Sequence, residues 1–444
     1  MMRVEDDTDT PPTGQIMTRG AGAVVFSQLL LRTASAAGAL VVGSYFVELA
    51  RQGVPVGSLL LGVLAGLGFL AELVIAPLAG AASDRRGRRA LLVLAPVLAA
   101  AGVLLTPGAS LASATPPLLL VGAVIGVARL IDGAGAGIAA PATLGLLADA
   151  TDGDRVRRGR LTSMYELASS GGIALGAVIG PLLYAAAGLW AFALLAVLYL
   201  LAGLVVLVVV PKDAARIPSP RRNSHRFRLR ALAGPRLLSF LPAWIAVNAI
   251  LGTWVTSQIT FVLAGDRTLP GQRFPGSFAD NPAALSAVLG IYVLVFSLCI
   301  VVWSFFIGRL RPLPTMIATV SGAVIASAGL LLANHGMSPA AAAPIIIAGI
   351  FLESGFTPAA LTHLADISTE HAEERGLIMG AYSVALGIGY LAGNVLGGVF
   401  ATWLAFDGLA LLTILFAVFA IGSVLVAMRV EKRVSPGRLS TATE

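Results

Sequence analysis

The chain has 444 residues, of which 57% are hydrophobic and only 12% are charged, with a formal net charge of +7. An ordinary soluble domain carries about 25% charged residues, and a soluble protein this apolar would aggregate because polar atoms could not cover its surface. The composition therefore excludes a soluble enzyme and a disordered chain, and it indicates an integral membrane protein.

Twelve apolar segments follow one another along the sequence, each suited to a helix that crosses a hydrocarbon layer about 30 Å thick. Their runs of Ala, Leu, Gly and Val lack the two-residue alternation of a membrane barrel, so we expect helices. Numbered as spans 1 to 12, they lie near residues 22–49, 56–80, 90–107, 118–148, 161–187, 189–210, 238–263, 283–307, 315–334, 341–364, 377–404 and 407–428.

The basic residues predict how the chain is oriented in the membrane. Of the 30 lysines and arginines, 25 lie in the two tails and in alternate loops, which the positive-inside rule assigns to the cytoplasm. We therefore expect a protein of the cytoplasmic membrane with both termini inside the cell. The expected division is a cytoplasmic N-tail at 1–21, an N-terminal six-helix bundle at 22–210, a basic linker at 211–237, a C-terminal six-helix bundle at 238–428 and a cytoplasmic C-tail at 429–444.

The distribution of the charges also bears on partners and cofactors. Because the basic residues are spread over short loops, lipid headgroups account for them, and we expect membrane lipid rather than nucleic acid as a partner. The single Cys299 offers neither a disulfide nor a thiolate cluster. We expect no metal, no cofactor and a monomeric protein, with all four histidines at the surface.

An internal repeat relates the two halves of the chain. When the sequence is shifted by 217 residues, segments 141–181 and 358–398 share 14 identities in 41 positions, against roughly four expected by chance. Six spans separate the copies, so the halves point the same way, as in two-bundle secondary transporters. The repeated glycines, which small-residue helix packing explains at least as well as transport does, are Gly172, Gly176 and Gly180 with Gly389, Gly393 and Gly397.

The loop between spans 2 and 3 carries a specific motif. Its defining residues are Gly80, Asp84, Arg85, Gly87, Arg88 and Arg89. The glycines permit a tight turn and close helix approach, and the aspartate is an acceptor suited to a helix N-terminus or an arginine. This loop resembles the G-x-x-x-D-R-x-G-R-R gating loop between helices 2 and 3 of the major facilitator superfamily.

Two further motifs extend this resemblance over nearly the whole chain. In span 4, Arg129 and Asp132 precede a glycine series similar to the family's R-x-x-x-G-x-G motif. In span 5, Gly176, Gly180 and Pro181 resemble the G-x-x-x-G-P motif frequent in proton-coupled exporters. The resemblance, to 12-helix drug/proton antiporter-like members in particular, implies an all-α membrane fold of two pseudo-symmetric six-helix bundles.

Ionisable residues inside the spans are the candidates for coupling and substrate binding, since each costs about 2.5–3.5 kcal/mol at the bilayer centre when unpaired. They are Arg32, Glu72, Arg129, Asp132 and Glu353. Arg129 and Asp132 are three residues apart on one helix face and can pair, so a structural ion pair stays an alternative. Arg32 is alternatively a snorkelling residue, and Glu72 a bridge between helices. No arginine accompanies Glu353 in its span, and it is the best candidate for a proton carrier.

Two further groups of residues follow from the position of the spans. At the cytoplasmic ends of spans 4 and 10, Asp149 and Asp366 recur with Arg158 and Arg375, which suits an inner gate or simple helix-end electrostatics. Polar and aromatic side chains of span 7, with Tyr45 in span 1, suit either an amphiphilic substrate or packing and the membrane interface. These residues of span 7 are Trp244, Asn248, Trp254 and Gln258.

The sequence predicts a secondary transporter that works by alternating access, with a small molecule as substrate and the proton as coupling ion, and it gives no sign of an enzyme. The first hypothesis is proton-coupled export of a drug-like or amphiphilic compound, with Glu353 carrying the proton. The alternative is a proton-coupled uptake symporter for a small polar metabolite such as a sugar or organic anion, bound by Arg32 and Arg129.

Overall fold

The computed structural model describes residues 13–113, 115–149, 155–210, 234–254, 257–265, 269–370 and 375–434. Within these residues the secondary structure is helical, without strands. Eleven helical stretches are long and apolar enough to cross a membrane. The last stretch, Ser383–Arg433, is 51 residues long and holds two crossings, because its helix loses helical geometry at Ala405. The predicted 12-helix membrane fold is therefore confirmed.

The spans of the N-terminal half are six long helices. Spans 1 to 6 are Thr13–Arg51, Ser58–Arg86, Arg88–Leu105, Leu118–Asp149, Arg155–Ala187 and Trp190–Val209, and a short helix, Gly108–Ala112, lies between spans 3 and 4. Spans 2 and 3 are joined by Gly87 alone. Its φ of 92° is a conformation that side chains disfavour, so this tight turn requires glycine.

The spans of the C-terminal half are helices too, and residues 255–256, between the two parts of span 7, lie outside the described part of the structure. Span 7 is Pro235–Trp254 followed by Ser257–Ala264, span 8 is Pro282–Ser304, span 9 is Pro312–Asn334, span 10 is Pro339–Ser354 followed by Phe356–Glu370, and spans 11 and 12 form Arg375–Val434. A 3-10 turn at Ile307–Arg309 precedes span 9. Helical structure also extends into the expected tails, because span 1 begins at Thr13 and span 12 continues to Val434.

The internal repeat is visible as a repeated helix contact. Span 5 packs on span 1 and span 11 packs on span 7, each through its three repeated glycines. A methyl group placed on Gly172 would lie 2.6 Å from Arg32 Cβ, and one placed on Gly389 would lie 2.6 Å from Asn248 Cβ. Glycine is therefore needed at both positions for the close approach of two helices. The two pairs of helices have the same register, so the halves are structural copies.

Each half has its own apolar core, and a third cluster joins the halves. Phe46, Ile125 and Phe192 belong to the N-terminal core, whereas Trp244 and Phe356 belong to the C-terminal core. The joining cluster combines side chains of spans 1, 5, 7, 8, 11 and 12, namely Leu40, Ala177, Ile259, Leu285, Ala401 and Leu409.

The contacts between the halves extend from the 1–2 loop towards the middle of the bundle. Gly62 in span 2 lies against the Asn394 carbonyl of span 11. Further along span 2, the ring of Phe69 stacks on Tyr390 at a centroid distance of 5.0 Å. We call the end of the molecule that holds the 1–2 loop the sealed end. Span 1 begins and span 12 ends at the opposite end.

Candidate functional site

A cluster of ionic side chains lies between spans 1, 2 and 5. Arg32 of span 1 interacts electrostatically with Glu72 of span 2 and with Glu166 and Tyr165 of span 5. The side chains of Arg32 and Glu72 are half-buried, and Glu166 is exposed to the space beside them. Tyr390 of span 11 also interacts with Arg32 and Glu72, so the cluster extends across to the C-terminal half. The carboxylates that act on the Arg32 charge are thus those of Glu72 and Glu166.

Polar side chains connect this cluster to the N-terminal core. Gln28 of span 1 donates a hydrogen bond to Ser169 Oγ at 3.0 Å and a longer one to Tyr165 Oη at 3.4 Å. The Tyr165 hydroxyl is also within hydrogen-bonding reach of the Arg32 guanidinium. Gln28, Tyr165 and Ser169 are all buried. Because their partners lie on two helices, this network fixes the Arg32 side chain between spans 1 and 5.

Arg129 and Asp132 form the ion pair that their spacing predicts. The Nη1 atom of Arg129 lies 3.2 Å from Asp132 Oδ2, and both side chains are largely buried. Tyr199 of span 6 hydrogen-bonds to Asp132 and also to Ser35 of span 1. The pair is therefore tied to two neighbouring helices, and its two charges largely satisfy each other.

Glu353 lies at the last turn of the first helix of span 10, next to a helix break. Among the described residues no lysine or arginine is within ion-pair distance of its carboxylate. Tyr292 of span 8 is the group that Glu353 influences electrostatically. The side chain is half-buried. Glu353 is thus an embedded carboxyl group without a compensating cation in the part of the chain that the structure describes.

The helix break at Gly355 was not predicted, and packing explains it. A side chain at Gly355 would meet the indole ring of Trp303, which lies against the backbone there. The indole Nε1 donates a hydrogen bond of 2.6 Å to the Phe351 carbonyl, while the Gly355 N–H turns to the Leu352 carbonyl. Trp303 thereby satisfies a carbonyl that the interrupted helix leaves open. The irregularity is confined to one residue, since Gly355 itself keeps right-handed helical angles with φ of −79° and ψ of −13°.

Span 7 presents its predicted residues to helices rather than to an open space. Trp244 is buried between the rings of Phe240 and Phe356, and Asn248 is buried and donates to the Trp244 carbonyl at 2.8 Å. The Trp254 indole points to span 12, where it donates to Thr413 Oγ1 at 2.7 Å.

Two other expected cavity residues lie towards the sealed end. Gln258 is fully buried and crosses to span 2, where it donates to the Ser58 carbonyl at 2.6 Å. The Tyr45 hydroxyl is hydrogen-bonded to Ser110 Oγ at 2.6 Å. Gln258 therefore fixes the positions of two helices, whereas Tyr45 and Ser110 also line a cavity at this end of the molecule.

The expected gating loop and inner gate are described in part. Gly80 lies beside Pro141 of span 4, and the Arg88 guanidinium lies against Gly145 of the same span. Arg89 donates to the Leu207 carbonyl of span 6. Asp366 is exposed near the end of span 10. The side chains of Asp84, Arg85, Asp149, Arg158 and Arg375 lie outside the described part of the structure.

One expectation about the histidines is wrong, and one group of site residues was missed. His363 is buried rather than at the surface, because span 10 turns it against the Phe240 ring in the C-terminal core. Glu166 and Tyr165 were not singled out from the sequence. The position of Tyr165, seven residues before the repeated Gly172, is the signal that places it on the face of span 5 that packs against span 1, and Glu166 is the next residue.

The comparisons with known proteins agree with this architecture. The sequence profile of the Major Facilitator Superfamily matches residues 24–350 and, in a second match, residues 260–443. The chain therefore belongs to the Major Facilitator Superfamily, and it is a multi-pass membrane transporter rather than an enzyme. No curated protein sequence matches the chain significantly.

Two solved structures have a similar fold at low sequence identity. The crystal structure of a variant of the nucleoside transporter NupG matches with a TM-score of 0.71 and 14% identity, covering 92% of this chain and 99% of that protein. The crystal structure of a D-xylose-proton symporter matches with a TM-score of 0.63 and 15% identity, covering 92% of this chain and 97% of the symporter.

Proposed function

We propose that this transporter takes up a small polar metabolite together with protons, by alternating access to a central site. The observation that carries the proposal is the ionic cluster in the interior of the bundle, where Arg32 faces Glu72 and Glu166. Embedded charges are costly, and those that persist in transporters mark substrate and ion pathways. The cluster lies on spans 1, 2 and 5 and reaches Tyr390 of the opposite half.

The balance of charge in the cluster favours a neutral polar substrate over an organic anion. One guanidinium, that of Arg32, stands against the carboxylates of Glu72 and Glu166. Arg129 is already engaged with Asp132. An anion would have to displace these carboxylates, whereas the hydroxyl groups of a sugar or nucleoside would exchange hydrogen bonds with them.

Export of an amphiphilic compound, the first hypothesis from the sequence, has less support. The span 5 motif that suggested it, Gly176 and Gly180 before Pro181, is accounted for by the close packing of span 5 on span 1. A broad apolar lining would suit such a substrate, whereas the groups around Arg32 are ionic and hydroxyl-bearing. The two solved transporters of similar fold handle nucleosides and D-xylose, which is the same chemical class as the substrate proposed here.

Glu353 is the proposed proton carrier. Embedded carboxyl groups serve as proton relays in transporters, and Glu353 has no lysine or arginine within ion-pair distance among the described residues, whereas Glu72 is under the influence of the Arg32 charge. It would bind a proton when the site faces outward and release it when the site faces inward. Its place beside the helix break at Gly355 couples it to a part of span 10 that can change shape.

The proposed setting is the cytoplasmic membrane, where the protein works as a monomer surrounded by lipid. Both termini are assigned to the cytoplasm, since 25 of the 30 basic residues lie on that side. The sealed end then faces outward, and the ionic cluster would be reached from the cytoplasm in this conformation.

Proteoliposomes with an imposed inward proton gradient test the proposal. Uptake of a labelled pentose and a labelled nucleoside is measured together with internal pH. Each proton entering under 100 mV supplies about 2.3 kcal/mol, so accumulation of up to about 50-fold is expected for one proton per substrate. With Glu353→Gln we expect accumulation to fall to the equilibrium level while exchange of internal for external substrate continues.

Glu48→Gln is the matched control, because Glu48 is a carboxyl group at the end of span 1 that bonds to Gln52 and lies outside the ionic cluster. It is expected to accumulate substrate like the original protein. Substrate-driven proton release in place of uptake would contradict symport. Full accumulation by Glu353→Gln would remove the assignment of the proton carrier.

A further inference from the structure

At the sealed end, helices of the two halves pack so closely that the backbone of one helix lies against the other helix. A methyl group on Gly43 of span 1 would lie 2.8 Å from Thr260 Cβ of span 7, and one on Gly398 of span 11 would lie 2.6 Å from the Ser58 carbonyl of span 2. We call this contact of spans 1 and 2 with spans 7 and 11 the seam. Water does not fit between helices at this separation.

Two hydrogen bonds cross the seam. Gln258 Nε2 donates to the Ser58 carbonyl at 2.6 Å, and the next backbone N–H along, that of Leu59, donates to Thr402 Oγ1 at 3.0 Å. Both bonds break when the halves separate, so they belong to the closed state only.

The seam also holds polar atoms whose hydrogen-bonding capacity is unused. Over the described ranges, Gln258 Oε1, Thr260 Oγ1 and Asn394 Oδ1 have no hydrogen-bond partner. All three side chains are completely inaccessible, with 0% exposure. Gln258 and Thr260 lie directly against spans 2 and 1, and Asn394 lies where span 11 meets Gly62. We call these three atoms the seam oxygens.

A buried hydroxyl of span 7 that packs within one half has hydrogen-bond partners. The Thr253 hydroxyl is as buried as that of Thr260, and it donates to the Ala249 carbonyl at 2.9 Å and approaches the Gly393 carbonyl at 3.3 Å. Thr253 packs within the C-terminal half, whereas Thr260 faces the N-terminal half. Atoms without a partner also occur away from the seam in the described residues, for example Ser83 Oγ and Arg129 Nε, so the seam oxygens are distinguished by lying where the two halves meet.

We infer that the seam oxygens keep the sealed end only weakly closed, so that it can reopen in every transport cycle. This inference rests on the alternating access of the proposed function. The three oxygens lose their water when the seam closes and regain it when the seam opens. Their desolvation opposes the apolar contacts and the two crossing hydrogen bonds, which favour closure. The two states are thereby brought close in free energy.

The rate at which a cysteine buried in the seam reacts with a membrane-impermeant thiol reagent measures the open population. Ala401 belongs to the cluster that joins the halves and is 1% exposed, so Ala401→Cys reports opening when Cys299→Ser removes the single native thiol. In this background Thr260→Val replaces the orphaned hydroxyl by a methyl group of similar size. We expect labelling to slow by about 5–150-fold, the range for one unpaired buried group.

Thr253→Val is the matched control, since it makes the same change in the same span at a hydroxyl that has partners within one half. Its labelling rate is expected to stay within about twofold of the background protein. Asn394→Leu removes a second seam oxygen and is expected to slow labelling in the same direction, which provides a test if Thr260→Val does not fold. Unchanged or faster labelling in the folded seam variants would overturn the inference.

The labelling assay needs no substrate, so it separates this inference from the proposed function. Slower labelling without uptake of any neutral polar compound would leave the inference standing and remove the symport proposal. Unchanged labelling in the seam variants of a protein that accumulates a sugar or nucleoside would overturn the inference and leave the symport proposal standing.

Discussion

The two halves of this transporter share their packing but differ in chemistry. Gly172 of span 5 lies on Arg32 of span 1, and its repeat Gly389 of span 11 lies on Asn248 of span 7. The two contacts have the same register, yet one carries a guanidinium near carboxylates and the other an amide bonded to its own helix. Duplication therefore preserved the helix contact while the side chain beside it changed.

This difference suggests a division of work between the halves. The N-terminal half gathers the ionic cluster around Arg32 and the ion pair of Arg129 with Asp132. The C-terminal half contributes the carboxyl of Glu353, next to the one-residue irregularity of span 10 at Gly355. Substrate recognition would then depend mainly on the first half, and proton movement on the second. The following predictions test that division.

The largest effect is expected at Arg32. Arg32→Gln removes the guanidinium whose charge acts on both Glu72 and Glu166. We expect transport to fall at least about 100-fold, with lower thermal stability in detergent. Adding Glu72→Gln to this variant should restore much of the stability, because it removes an uncompensated charge, but it should not restore transport.

Asn248→Ala is the counterpart in the other half. It removes a hydrogen bond to the Trp244 carbonyl, a neutral bond that contributes about 0.5–1.5 kcal/mol. Transport is expected to fall less than about tenfold. If the two variants lose transport equally, the division of work between the halves is wrong.

The second prediction concerns what the halves share. A methyl group on Gly176 would lie 2.7 Å from backbone and side-chain atoms of span 1, and one on Gly393 would overlap the Ala249 backbone of span 7. Because backbone atoms cannot turn aside, Gly176→Ala and Gly393→Ala should each lower the free energy of unfolding by about 1–3 kcal/mol.

Controls for this prediction exist in both halves. Gly22 of span 1 and Gly422 of span 12 are exposed helical glycines with nothing within 4 Å of an added methyl group. Gly22→Ala and Gly422→Ala should leave stability unchanged or slightly raised. Destabilisation by the Gly176 variant alone would mean that the two contacts are not equivalent, and thermal unfolding in one detergent decides this.

Much of this fold could be predicted from sequence because the relevant signals are local or repeated. Apolar length defines the spans, the shift of 217 residues defines the halves, and the three-residue spacing of Arg129 and Asp132 indicates their ion pair. The break at Gly355 depends instead on the Trp303 ring of another span. No local pattern encodes such a contact.

The missed site residues have the same explanation. Glu166 lies in the first turns of the predicted span 5, where a carboxylate is ordinary at a membrane interface. It becomes a site residue only because span 5 packs on span 1 and brings it towards Arg32. The burial of His363 likewise depends on the partner helix that covers it, here the one that carries Phe240.

The smallest effect is expected at the turns that close the two halves of the repeat. Gly188, between spans 5 and 6, has a φ of 55°, and the residue 217 positions later, Ala405 between spans 11 and 12, has a φ of 48°. Such a conformation costs a non-glycine residue about 1–2 kcal/mol. Replacing the residue by glycine removes this cost, but part of the gain is lost because glycine also raises the conformational entropy of the unfolded chain. Ala405→Gly should therefore stabilise the protein by about 1 kcal/mol.

Gly188→Ala should do the opposite, and for backbone reasons alone, since nothing lies within 4 Å of an added methyl group. Thermal unfolding of both variants measures the difference. A destabilising effect of Ala405→Gly would mean that the hydrogen bonds made to this turn by other segments of the chain depend on the alanine side chain. Two hydrogen bonds hold this turn: Gln272 donates to the Leu404 carbonyl at 2.8 Å, and Asn334 donates to Asp407 at 2.8 Å. The equivalent turn of the N-terminal half has Trp190 in place of Asp407. If Ala405→Gly stabilises the protein, these hydrogen bonds hold Ala405 in a strained backbone conformation. The N-terminal turn avoids this strain because it has Gly188 at the equivalent position.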